Sequence, residues 1–329
     1  MTKIYYDDDA DTSILEGKRI AIIGYGAQGA AQAKMLHESG MDVVVGLRED
    51  GGSWNKAKED GLNVMNVKEA AKAGDIVHIL IPDEIQGQVY KNEIVDNLVA
   101  GNTLCFSHGF SIVFKTIEPP EGVDVIMVAP KAPGTIEYEK YKEGVGVPAL
   151  VAVEQDASGG ALNTALAMAK AMMFTKCGAL ECSFEQEANE DLFGEQAVLC
   201  GSVTEIMKAG FETLVEAGYP KEMAYFECIH EMKLVVDLIY QGGLVHMWDV
   251  VSNTAEFGGR TVGPKIIGPE VKVRMKEVLK NIENGNFARE WMEEYEKGLP
   301  NLKELRIKEM NHDAEKTGQA IRKMFKKDV

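Results

Sequence analysis

The segment KRIAIIGYGAQGAAQAKMLHESG, residues 18–40, narrows the possible folds more than any other stretch of this 329-residue chain. An apolar strand runs into Gly24-x-Gly26-x-x-Gly29, and a helical pattern starts directly afterwards. The first glycine permits a tight turn, the second lets a pyrophosphate reach the backbone, and the third lets helix and strand pack closely. The helix N-terminus then offers its unbonded amides to the phosphates. A glycine triplet alone says little, but with a strand before it and a helix after it the run predicts dinucleotide binding. The plainer alternative is a purely structural turn.

The flanking sequence supports that reading. From Lys18 to about Cys182, short apolar runs alternate with helical patterns, with strands expected over 19–24, 42–46, 76–81, 103–107, 123–129 and 149–153. Most are apolar throughout, as a sheet covered on both faces requires, and the alternation predicts βαβ units and a parallel sheet. After Phe184 the alternation stops. Helices are expected over 185–209, 211–217, 220–240 and 269–284, followed by two charged helices after Phe287 and His312. The chain thus reads as an α/β protein: a Rossmann-like dinucleotide-binding domain over 1–182 and an all-helical domain over 183–329.

Charge excludes several partners. With 35 Lys+Arg against 52 Asp+Glu, the net charge of −17 repels DNA, RNA and anionic membrane surfaces. The acidic N-terminal segment has no apolar stretch of signal-peptide type, and the longest apolar runs are strand-sized, so a cytoplasmic protein is expected. The cluster Asp7, Asp8, Asp9 and Asp11 reads as solvated. Cys105, Cys177, Cys182, Cys200 and Cys228 show no CxxC spacing and read as reduced core thiols.

About twenty residues past the last fingerprint glycine, where the adenosine ribose is read, stand Arg48, Glu49, Asp50, Gly51, Gly52 and Ser53. Arg48 and Ser53 suit a 2′-phosphate. Glu49 and Asp50 suit a free 2′-hydroxyl, or simply point to water.

Two carboxylate pairs, Asp191 with Glu195 and Glu227 with Glu231, have i, i+4 spacing, which sets each pair on one helix face. Phe226, Ile229, Leu234, Val235, Leu238 and Ile239 make the second helix apolar nearly all round, so it is expected to be buried. Buried paired carboxylates need a cation, and an all-oxygen set suits Mg²⁺ and, less well, Mn²⁺. Four carboxylates balance two divalent ions. A single such pair elsewhere is usually a solvated surface.

Together these residues resemble the ketol-acid reductoisomerases of the short class I form, a likeness running from Tyr5 to about Phe325. It is carried by GYGAQG (24–29), PDEIQG (82–87), SHGFSI (107–112), APKAPG (129–134), DLFGEQAVLCG (191–201), FECIHEMKL (226–234) and SNTAEFG (252–258). The resemblance implies a Mg²⁺-dependent alkyl migration in 2-acetolactate or 2-aceto-2-hydroxybutyrate, both 2-hydroxy-2-alkyl-3-keto acids. NADH or NADPH then reduces the product to a 2,3-dihydroxy-3-alkyl acid of valine and isoleucine synthesis. It implies metal ligation by Asp191, Glu195, Glu227 and Glu231, catalysis by His108, Lys131 and Glu231, and substrate-carboxylate binding by Ser252. It places Gly24, Tyr25, Gly26, Ala27, Gln28, Gly29, Arg48, Ser53, Asp83, Glu84, Ile85, Gln86 and Gly134 at the dinucleotide. It also implies a knotted helical domain and a homo-oligomer, at least a dimer, in which a partner subunit supplies the second carboxylate pair and the serine.

The chain departs from the family pattern in three places. Thr135 and Glu137 stand where a histidine and an arginine are usual. Cys182-Ser183-Phe184 replaces Thr-Thr-Phe, and Gly51 replaces the first of two hydroxyl residues in the ribose loop. The last change, beside Glu49 and Asp50, predicts that NADH is preferred or that both cofactors are accepted. Two other functions compete: a metal-free hydroxyacid dehydrogenase using Lys131 or His108 as proton donor, and a non-catalytic dinucleotide sensor. The first leaves both carboxylate pairs unexplained, and in the second the helical half would only mediate oligomerisation.

Overall fold

The structure, a computed structural model, describes residues 2–49 and 51–325. Asp50, one of the two acids expected at the ribose, lies outside them. Among the described residues nine strands form one sheet: β1 (Ile4–Tyr5), β2 (Arg19–Ile23), β3 (Asp42–Leu47), β4 (Asn63–Asn66), β5 (Ile76–Ile79), β6 (Thr103–Phe106), β7 (Asp124–Pro130), β8 (Ala149–Gln155) and β9 (Ala179–Glu181). Their order is β1-β9-β8-β7-β6-β5-β2-β3-β4. The run β4-β3-β2-β5-β6-β7 is parallel throughout and reverses direction of winding at β2 and β5. That reversal is the switch point where doubly wound sheets bind ligands at the strands' carboxyl ends, and Gly24 follows β2 there.

Side-chain alternation fills both faces. Ile20, Ile22, Val43, Val45 and Ile126 enter one apolar cluster, while Ala21, Ile23, Val44, Val125 and Met127 enter the other. A strand offers its alternate residues to opposite faces, so uninterrupted apolar runs are what a sheet covered on both sides selects.

Two expectations need correction. The sheet is mixed, not wholly parallel, because β8 pairs with β7 antiparallel and β1 with β9 antiparallel. A parallel neighbour requires the chain to return to the opposite end of the sheet. Here the intervening helix Gly134–Lys142 packs on helix Ala27–Glu38 instead, and the chain re-enters beside its exit, where Lys131 N–H donates to Pro148 O at 2.9 Å. The short strands β1, β4 and β9 also carried too little apolar pattern to be expected.

The chain divides into two compact units that meet between Glu190 and Asp191. The expected change of character near 183 precedes that division by about two turns of helix Phe184–Gly194, whose Phe184, Glu187 and Ala188 are buried. The second unit is helical, with Phe211, Ala224, Tyr225, Ala314 and Ile321 forming its small core. Helix Met232–Val250 changes course at Gly243 (φ 83°), and helix Asn253–Ile266, absent from the expectations, follows it. Among the described residues no single helix is long and apolar enough to cross a membrane.

Candidate active site

The glycine turn is built by close backbone approach. A Cβ on Gly29 would sit 2.5 Å from Gly24 O, and one on Gly24 (φ +109°) would sit 2.5 Å from Leu80 O. At Gly26 a Cβ would meet nothing within 4 Å, so the middle glycine faces open space, as the approach of a pyrophosphate requires. From there a cleft of about 300 Å³ runs along Gly24, Tyr25, Gly26, Arg48, Gly51, Gly52, Ser53 and Trp54, with Pro82 and Ile85 on its other wall. This arrangement fits an extended dinucleotide.

Of the other expected cofactor residues, Asp83 and Glu84 open helix Asp83–Val89 and are half-buried. Gln86 is buried, donating to Ile81 O at 2.9 Å and accepting from Ser111 Oγ at 2.8 Å, so it braces that helix. Ala27, Gln28 and Gly134 form a second layer: a Cβ on Gly134 would lie 2.4 Å from Ala27 O. Gln28 donates to Ala132 O at 3.1 Å. Burial, with the hydrogen bond to Asp60, holds the Tyr25 phenol well above its ordinary pKa.

Beyond β6, SHGF turns into a short helix, and His108 meets a residue that the sequence did not single out. Glu187, 1% exposed, accepts from His108 Nδ1 at 3.0 Å and from the Gly109 amide at 2.8 Å, and its other oxygen accepts from Lys131 Nζ at 3.0 Å. Burial alone raises a carboxyl pKa, but the His108 hydrogen bond, the charges of His108 and Lys131 and the Gly109 amide outweigh it, so Glu187 is held below its ordinary value. An ionised carboxylate only accepts, so His108 Nδ1 must carry a hydrogen. That bond fixes the orientation of the imidazole ring. Glu187 lies one helical turn before Asp191, and that i, i+4 relation was the one signal in the sequence that pointed to it.

Asp191 lies in regular helix, whereas Glu195, Glu227 and Glu231 sit at irregular helix. Helix Phe184–Gly194 passes into a π-helical turn at Glu195–Leu199, and helix Lys221–Tyr225 into another at Phe226–His230, where Glu231 N–H donates to Phe226 O at 3.0 Å. Such turns are uncommon and gather at functional positions. The expected burial of the second pair is corrected: Glu227 and Glu231 are exposed, as are Leu234 (56%) and Tyr240 (89%). Helix count is the reason, since the elements packed on this helix within its own unit do not cover all its apolar sides. Ser252 is exposed and caps helix Asn253–Ile266, accepting from Ala255 N–H at 3.2 Å. The donors are all oxygen and reachable from solvent, a set that fits hard divalent ions. Cys105 is buried, whereas Cys177 and Cys200 are exposed, so the core-thiol expectation fails for those two.

The doubly wound sheet, the open glycine turn and the His108–Glu187–Lys131 group define a dinucleotide-dependent oxidoreductase. Residues 14–178 match the model of the acetohydroxy acid isomeroreductase NADPH-binding domain, and residues 184–327 that of the ketol-acid reductoisomerase C-terminal domain. The chain belongs to the ketol-acid reductoisomerase family: NAD(P)H- and Mg²⁺-dependent enzymes of branched-chain amino-acid synthesis. It is 60% identical to a ketol-acid reductoisomerase (NAD(+)) of an uncultured archaeon, over 98% of this chain and 99% of the relative. It is 55% identical to a ketol-acid reductoisomerase (NADP(+)) of Methanocaldococcus jannaschii, over 98% of each. The solved structure of an NADH-preferring ketol-acid reductoisomerase from an uncultured archaeon superposes with a TM-score of 0.96 at 60% identity, covering 98% of both chains.

Proposed function

We propose that the Glu187-centred group and the four carboxylates Asp191, Glu195, Glu227 and Glu231 carry out the isomerisation, and that the Gly24–Gly29 cleft presents the nicotinamide for the reduction that follows. The observation that carries this reading is Glu187, a buried charge that fixes His108 and Lys131 one helical turn before Asp191. The four carboxylates would hold two Mg²⁺. Bound there, the ions would supply Lewis-acid stabilisation of the substrate's oxygens for the alkyl migration, and a nicotinamide in the cleft would supply the hydride for the reduction.

The chain's own groups manage protons and position. Migration begins with loss of the 2-hydroxyl proton, and reduction ends with a proton delivered to the new alkoxide. Glu231 is the carboxylate proposed for that transfer, with His108, its ring oriented by Glu187, as a second acid–base group. Lys131, held by Glu187, contributes positive charge beside the substrate's carboxylate and oxygens. Ser252 binds that carboxylate with its hydroxyl and the adjacent helix amides. The enzyme is cytoplasmic and works as a homo-oligomer, at least a dimer, whose partner supplies Glu227, Glu231 and Ser252; the apolar residues exposed on helix Met232–Val250 support this.

NADH is preferred, or both cofactors are accepted. Gly51 stands at the first hydroxyl position of the ribose loop, Glu49 follows Arg48, and relatives with each cofactor name are similarly close. The test is steady-state turnover of 2-acetolactate with Mg²⁺ and equal concentrations of NADH or NADPH, with and without EDTA. Mg²⁺-dependent oxidation of NADH is expected. Full activity in EDTA sinks the metal assignment, and a hundredfold preference for NADPH sinks the cofactor assignment.

A further inference from the structure

Helix Gly134–Lys142 lies against the dinucleotide helix Ala27–Glu38, and its Glu137 is unusual on both chemical and spatial grounds. The residue is 1% exposed, yet neither carboxylate oxygen has a hydrogen-bond partner. Leaving a buried acceptor unmade costs free energy, and leaving a buried charge unmade costs more, so such a residue survives where its protonation has a use or a consequence. Its polar neighbour is the side chain of Gln28, the fingerprint residue before Gly29. Gln28 has two N–H groups and gives one to Ala132 O. Its oxygen accepts from Gln32, which also donates to Ser107 Oγ at 3.0 Å, and Ser107 precedes His108.

We propose that Glu137 is a positioning residue for the dinucleotide, acting through Gln28, and that the glycine turn receives the pyrophosphate only while Glu137 carries its proton. The proposal rests on dinucleotide binding at that turn. Neutral Glu137 leaves Gln28 bridging Ala132 and Gln32 and adds no charge behind the phosphates. Ionised, it draws the remaining Gln28 N–H towards itself and sets a negative charge in a low-dielectric layer behind a dianion.

Among the described residues no other charge replaces it in that role. On the facing helix Ala27–Glu38, Lys34 lies over the Tyr138 ring at 4.1 Å, Glu38 accepts from Tyr138 and Lys142, and His37 falls in the last turn. Asp60 is bonded to Tyr25, and Lys131, in the preceding loop, to Glu187. Burial pushes the Glu137 carboxyl up to about 8, with the Gln28 amide pulling the other way. Ionisation therefore falls within the range of ordinary assays.

The experiment is direct titration of NADH, by its fluorescence, into wild type and Glu137→Gln between pH 6 and 9.5, with KM and kcat measured in parallel. If binding requires the neutral form, affinity falls with the neutral fraction, about tenfold from pH 7 to pH 9. The expected result is that fall in wild type, in Kd and KM but not in kcat, and a flat profile in Glu137→Gln. Superimposable profiles overturn the proposal while leaving the site standing. No NADH binding at pH 7 by folded wild type overturns the site and the proposal together. Circular dichroism confirms folding of the variant, and Glu137→Ala, also unable to ionise, must give the same flat profile.

Discussion

At the scale of single residues, the site turns on Glu187. It draws three donors from chain positions 56 to 79 residues away, so it fixes the ring orientation of His108 and the place of Lys131 at once. Glu187→Gln keeps the shape but removes the charge and turns an amide N–H₂ towards donors. A hydrogen bond to a charged group contributes about 1.5–3 kcal/mol, and a misplaced acid–base group costs about 10²–10⁴ in rate. The variant should lose at least about a hundredfold in kcat while NADH affinity at pH 7 stays unchanged, because the glycine turn is untouched. A kcat within threefold of wild type would remove Glu187 from the mechanism. Gly24, Gly26 and Gly29 were legible in sequence because their meaning lies in local spacing. Glu187 was not, because its partners are chosen by the fold of the sheet.

At the scale of elements, helix Phe184–Gly194 sets the distance between Glu187 and the loop after β6. A Cβ on Gly109 would lie 2.5 Å from Phe184 O and 3.1 Å from Ala188 Cβ, so only glycine lets the loop amide reach Glu187. Gly109→Ala should push the helix away, costing about 1–3 kcal/mol of stability by overpacking and lowering kcat at least tenfold, with cofactor binding little affected. Unchanged kcat in a folded protein would show that this approach is not needed. Elements also show where periodicity stops being informative. The i, i+4 carboxylates were readable, but the π-helical turns at Glu195–Leu199 and Phe226–His230 were not, since a widened turn follows from tertiary packing rather than spacing. The antiparallel setting of β8 was hidden for a related reason: strand direction depends on where helix Gly134–Lys142 docks.

At the scale of the whole molecule, two buried groups of the first unit oppose each other in their effect on stability. Burial lowers His78 from 6.5 to about 3, so it folds neutral, and its contribution is lost as pH falls below 6.5. Burial raises Glu137 from 4.5 to about 8, so the folded state holds that proton more tightly, and stability falls as pH rises from 4.5 to 8. Each group changes stability by about 1.4 kcal/mol per pH unit where it titrates in one state only. From pH 4.5 to 6.5 the two slopes cancel, and from 6.5 to 8 Glu137 acts alone, removing about 2 kcal/mol. Below 4.5 the His78 slope is uncompensated, and Glu187, held below its ordinary value, adds a loss of the same sign. Urea unfolding of the first unit without cofactor should therefore show a plateau near pH 4.5–6.5 and a decline on either side. In Glu137→Gln the opposing slope is gone, so stability should climb up to pH 6.5 and then hold level to pH 8. A wild-type curve flat from 6.5 to 8, or a Gln variant that declines there as wild type does, would show that Glu137 does not keep its proton on folding.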